Sequence, residues 1–240
     1  MTSIARFVTR LEAISLPNVF NPYSDRCDLH DLEAAASIRR RNLEKALEAA
    51  RSVQVGTFWV ARDLGYRGGR RTGLALTDEA HLGIFGGTLG GIRFERATKG
   101  EPAKERTATT IWQMATRVAE PIFMWNAFPL HPHEAGNPLT NRCHSRAERD
   151  ATAWVLPELM KLLQPRAIYT IGGDARKCLD ALGVEATAFR HPSYGGQPQF
   201  IREVEYAYAL GSSAAEPCTT QLALDVGPNS SRSTRLRPSA

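Results

Sequence analysis

RAIYTIGGDARKCLDALGVEATAFRHPS, residues 166–193, contains one complete strand–helix–strand passage. RAIYTI is a short β-branched and aromatic run closed by Gly172-Gly173, which reads as a strand ending in a turn. Asp174 then caps a helix running to Leu182. Residues 185–189 form a further short strand that ends at His191-Pro192-Ser193. Strands joined through helices in this way build parallel sheets.

The same alternation extends upstream. Residues 55–60 (VGTFWV) read as a strand, followed at once by the loop ARDLGYRGGRRTG. Residues 107–119 read as a helix, and residues 121–128 (PIFMWNAF) as an apolar strand that turns polar at Asn126. Residues 145–163 read as one helix, with Ser145 as N-cap and Glu148 in capping-box spacing. Before the first strand lie a short helix over residues 3–14, the turn-rich loop VFNPYSDRCD, and an amphipathic helix over residues 32–53. In that helix Leu43, Leu47 and Ala50 fall at helical spacing beside the charges of Arg39, Arg40 and Arg41. The expected fold is a three-layer α/β/α domain around a mostly parallel four-stranded sheet. It spans residues 1–210, of which 1–54 are the helical N-terminal part. Residues 211–240 are small, polar and Pro-rich, and read as a flexible tail.

Composition narrows the function classes. The 240 residues are 42% hydrophobic and 23% charged, in the range of a folded globular chain. No run of eighteen apolar residues suggests a membrane span, and the N-terminus lacks the apolar core of a signal peptide, so a cytoplasmic location is expected. A net charge of +5 permits a nucleic-acid partner without establishing one. Cys27, Cys143, Cys178 and Cys218 form no CxxC pair, and read as four thiols.

Ligands of open parallel sheets bind beyond the carboxyl ends of the strands, so the residues just past each strand end are informative. These positions deliver Arg62-Asp63, Asn126 and His191-Pro192-Ser193. Each also has an ordinary structural use: Asp as a turn former, Asn bonding nearby backbone, His-Pro-Ser as a bend. Together they would bring an acid, an amide and an imidazole to one rim.

In this context the sequence resembles the uracil-DNA glycosylase superfamily, closest in motif layout to family 1. Ala61-Arg62-Asp63-Leu64-Gly65-Tyr66 looks like that family's GQDPYH, and Gly73-Leu74-Ala75-Leu76-Thr77 comes after it at the family's distance. Residues 123–128 (FMWNAF) are similar to its LLLNAV strand, His191-Pro192-Ser193-Tyr194 to its HPSP motif, and residues 163–172 to its LKPKVIVALG strand. The resemblance implies a monofunctional glycosylase, needing no metal or organic cofactor, that hydrolyses the N-glycosidic bond of deoxyuridine in DNA. The products would be free uracil and an abasic site, at the start of base-excision repair. Asp63 would stabilise the cationic sugar and position water. Asn126, offering donor and acceptor, would pair with uracil and mismatch cytosine. His191 would donate to the uracil O2 as a neutral imidazole, and Tyr194 would wedge into the duplex.

The departures concern the base pocket. Leu64-Gly65 stand where the family has Pro-Tyr, and Tyr66 comes one residue later. The family's stacking Phe falls on Leu76, which leaves stacking to Leu76 or to an aromatic such as Phe85. Arg62 joins these as a uracil contact. Phosphate contacts are expected from Arg67, Arg70 and Arg71 in the first loop, from Arg142, His144 and Arg146 in a second cluster, and from Ser193 and Gly195. The partners would be uracil-containing and abasic DNA, bound by a monomer. One alternative is a weakly or non-catalytic protein of the same fold that binds uracil or abasic DNA; another is a nucleotide-binding enzyme acting on small molecules. The glycine-rich stretch 83–91 (GIFGGTLGG) lacks the P-loop Lys-Ser/Thr and reads as a loop flanking the pocket or a structural turn. His131-Pro132-His133-Glu134 reads as a surface turn before a metal site.

Overall fold

The computed structural model describes residues 2–211, so the expected tail from residue 212 onward lies outside them. Among the described residues there are six strands: β1 (Val19–Phe20), β2 (Thr57–Ala61), β3 (Ile122–Asn126), β4 (His131–Pro132), β5 (Ala167–Ile171) and β6 (Thr187–Phe189). β3, β2, β5 and β6 form one sheet in that order with every pair parallel, while β1 and β4 make a small antiparallel ribbon. The register sets Ala61 of β2 beside Asn126 of β3. All four carboxyl ends therefore share one edge.

Every side chain of β2 and β3 is buried, as a parallel sheet covered on both faces requires. On one face Phe58, Phe123 and Trp125 lie under α1 (Ser3–Glu12), with Phe7 against Trp125. α1 buries Ile4, Phe7, Val8 and Leu11, one stripe at helical spacing. It packs with α2 (Ala35–Ser52) and α7 (Val155–Leu163). On the opposite face Trp59 meets Phe189, Phe200 and Tyr208, bringing α9 (Gln197–Ala207) onto the sheet. The layers are those expected for an α/β/α domain.

Several elements differ from their sequence reading. The loop after β2 contains a one-turn helix, α3 (Gly69–Thr72). The stretch 83–91 opens as helix α4 (Leu82–Thr88) and lines a separate surface hollow with Trp112 and Ile122, so it does not flank the candidate pocket. α5 (Arg106–Ala115) is shorter than expected. The single helix over 145–163 is two, α6 (Arg146–Ala151) and α7. Pro157 explains the break: with no N–H to give, it suits the first turn of a new helix and would disrupt the middle of an old one. α8 (Gly173–Ala181) is capped by Gly172 at φ 94°, so Asp174 lies in its first turn and is not the cap. Arg39, read as part of a charged face, is fully buried against Asp31.

Candidate active site

β2 and β5 are neighbours in the sheet although the chain passes from β2 to β3 first, so the strand order reverses between them. At such a point the segments leaving adjacent strands diverge and open a crevice. A cleft of about 640 Å³ occupies this position. Its walls include residues 61–65 from the last residue of β2 onward, residues 171–175 from the last residue of β5 onward, and Arg190, His191, Ser193 and Tyr194 after β6.

Asp63 and His191 both line this cleft. The Asp63 side chain is 7% exposed and both its oxygens are engaged. Arg62 Nε donates to Oδ2 at 2.5 Å, and His144 Nδ1 donates to Oδ1. Arg62 also donates to Asp174 at 2.7 Å, tying the loop after β2 to the start of α8. Burial works against the His144 imidazolium, but the Asp63 hydrogen bond, the Cys178 contact and their charges outweigh it and lift its pKa to about 9. His191 is shifted the other way. Burial first, then Arg62 and Arg190, push it below the ordinary histidine value and favour the neutral ring. Its Nδ1 accepts the Ser193 backbone N–H at 3.1 Å, leaving Nε2 to carry the proton. Gly172 allows this placement: a Cβ there would meet the His191 Cβ at 3.1 Å.

Asn126 stands at the same sheet edge, paired with the cleft residue Ala61, but is buried and does not itself line the cleft. Its Oδ1 is buried with no hydrogen-bond partner. Leu76 lines the cleft, held at φ 54°. Tyr66 does not; its backbone N–H bonds Asn141 and its hydroxyl accepts from Arg67. Phe85 is removed from the base contacts, because its ring is core, packed at a tilt against Phe94 and Trp112.

The two basic clusters divide. Arg70 is buried over the Phe20 ring, and Arg71 is spent on Glu79 and Thr98, so neither is free for phosphate. Arg142 lines the cleft but grips Glu148 with two hydrogen bonds and the carbonyls of Asn18, His133 and Cys143 besides. His144 faces Asp63 and not the surface. Arg67, Arg146, Tyr194 and Gly195 are exposed, Tyr194 fully. Ser193 is half-buried beside Thr107.

Sequence reasoning missed Asp174, Glu105 and Cys178. Asp174 lies just past a strand end and is open to the same rule that finds Asp63. Glu105, whose carboxyl lies over the Gly65–Gly68 backbone, has its pKa raised by burial and then by Asp78, and no spacing announces it. Among the described residues no helix is long and apolar enough to cross a membrane, and no three His, Cys, Asp or Glu side chains gather as a metal ion would need.

The sequence matches no family model and no curated protein. The structure is similar to the crystal structure of wild-type Pedobacter heparinus SMUG2, with a TM-score of 0.60 and 15% identity over 88% of this chain and 98% of that one. The chain shares the fold of that protein, a four-stranded parallel sheet flanked by helices.

Proposed function

We propose that the protein is a uracil-DNA glycosylase that hydrolyses the N-glycosidic bond of deoxyuridine in DNA, releasing uracil and leaving an abasic site. The observation that carries this reading is the meeting of Asp63 and His191, from two separate strand ends, in one cleft whose neighbouring strand end holds the unmatched acceptor of Asn126. Bond cleavage builds positive charge on the sugar and negative charge on the departing base. The Asp63 carboxylate beneath the sugar stabilises the first and orients the attacking water. The second falls on the uracil O2, where a neutral His191 with its proton on Nε2 is a ready donor. Asn126 Oδ1 offers an acceptor to the uracil N3–H; cytosine carries no proton there and would leave it unpaired. Exposed Arg67 and Arg146, with the Ser193–Gly195 backbone, supply phosphate contacts for an extruded nucleotide, and Tyr194 stands ready to fill the vacated stack.

One observation favours the alternative, a weakly or non-catalytic protein that binds uracil or abasic DNA: both oxygens of Asp63 are already held by cationic partners. A single-turnover assay on uracil oligonucleotides, single-stranded and paired with G or A, run beside fluorescence anisotropy on the same DNA, separates the two. Uracil release by the wild type, falling about 100-fold or more in Asp63→Asn with DNA affinity kept, is the expected result. Tight binding without release selects the alternative. Neither binding nor release overturns both.

A further inference from the structure

Asp63 projects from a loop, and a loop carboxylate has two torsions to lose before it can present one face to a substrate. Arg62 does not fix it alone. Its side chain is 32% exposed and shared with Asp174, so an incoming phosphate can compete for it.

His144 is held differently. Its side chain is 5% exposed, Nδ1 bonds Asp63 Oδ1, and the ring stacks on Phe128 at 5.1 Å with 24° between planes. Behind it Nε2 faces Cys178 Sγ at 3.5 Å. The imidazole is thus gripped by a carboxylate, a ring and a thiol from three parts of the chain: the loop after β2, the segment after β3, and α8. Phe128 is anchored in turn, its N–H donating to the Arg62 carbonyl at 2.9 Å. Cys178, His144 and Asp63 have the makeup of a thiol-nucleophile triad, but the buried thiol does not line the cleft, and the carboxylate does. The direction of action is therefore outward, from the thiol through the ring to the carboxylate.

We propose that His144 is the positioning residue of Asp63, holding the carboxylate in the orientation that faces the sugar, with Cys178 bracing the ring from behind. This rests on the glycosylase reading above. It assigns His144 a part in the rate of bond cleavage and none in DNA affinity. The requirement is a donor at the Nδ1 position, which an asparagine amide can supply and a glutamine or phenylalanine cannot.

The test compares His144→Asn, His144→Gln and His144→Phe in the full chain, reading the single-turnover rate, DNA Kd and thermal midpoint of each. Loss of a bond that orients a reacting group costs roughly 10–100-fold in rate. His144→Phe and His144→Gln are expected to lose that much with Kd unchanged, while His144→Asn stays within about 3-fold of wild type. In the Asp63→Asn background, His144→Phe is expected to cause no further loss, because its effect passes through the carboxylate. A wild-type rate in His144→Phe overturns the proposal, and so does a loss in all three variants that tracks their thermal midpoints. His144→Gln decides the matter should the phenylalanine variant not fold. Failure of the proposal alone is recognised by an active wild type, an inactive Asp63→Asn and an unaffected His144→Phe. A wild type that releases no uracil defeats the functional reading first, and this proposal with it.

Discussion

Arg39 places its guanidinium 2.5 Å from Asp31 with both side chains almost wholly out of water. Its Nε also donates to the Arg71 carbonyl at 3.0 Å, so a charge from α2 reaches through the interior to the backbone of the first motif loop. Gly73 completes that contact. It sits at φ 72°, and a Cβ there would lie 2.8 Å from the Arg39 Cβ. Tyr23 closes the far side by donating its hydroxyl to the Gly73 carbonyl at 2.9 Å. The arginines that resemble a phosphate-binding run in sequence thus divide by duty, with Arg70 and Arg71 turned inward and Arg67 outward. Removing one partner of a buried pair strands the other charge. Arg39→Met is expected to lower stability by roughly 3–5 kcal/mol, and the double variant with Asp31→Leu to recover most of it. Urea denaturation of the two variants and the wild type checks this.

α6 illustrates what local spacing can and cannot reveal. Ser145 and Glu148 exchange both hydrogen bonds of a capping box, a feature readable from two residues three apart. Arg142 then clamps Glu148, pulling its pKa down to about 2, chiefly through their hydrogen bonds. Ser145→Ala should cost about 1 kcal/mol, measurable as a shift in the denaturation midpoint with unchanged slope. The four sheet strands are legible because each is a short apolar run bounded by turn residues, and Asp63 and His191 because they lie directly beyond such runs. α9 carries a weaker signal: Pro198 lies in its first turn, with Phe200 and Val204 buried one turn apart, but two core residues make a thin stripe. His144 and Cys178 have no such signal. They lie 81 and 115 positions from Asp63, and only the folding of α8 against the loop after β3 brings all three together. Phe85 misleads for a related reason: an aromatic among glycines looks available until Trp112 and Phe94 close over it.

For the molecule as a whole, the histidines set opposing limits on stability against pH. His131 is fully buried in β4, and burial lowers its pKa to about 4. The unfolded chain then binds more protons between about pH 4 and 6.5, so stability falls as pH drops through that window, by roughly 3 kcal/mol from this residue. His191 shifts in the same direction. His144 is raised to about 9. Its stabilisation is complete below the ordinary histidine value and is lost as pH rises through about 9, again roughly 3 kcal/mol. The urea midpoint is expected to peak between about pH 6 and 7, and His144→Asn to flatten the alkaline side while leaving the acid side as it was.

The cleft is walled by segments that leave the strands, while Trp59, Phe123 and Trp125 hold the layers together from within the sheet. Recognition and cohesion are thereby assigned to different residues. Under the proposed reading, exposed positions in the short runs after β2, β5 and β6 are where a change would retune the base accepted while leaving the aromatic core of the sheet in place.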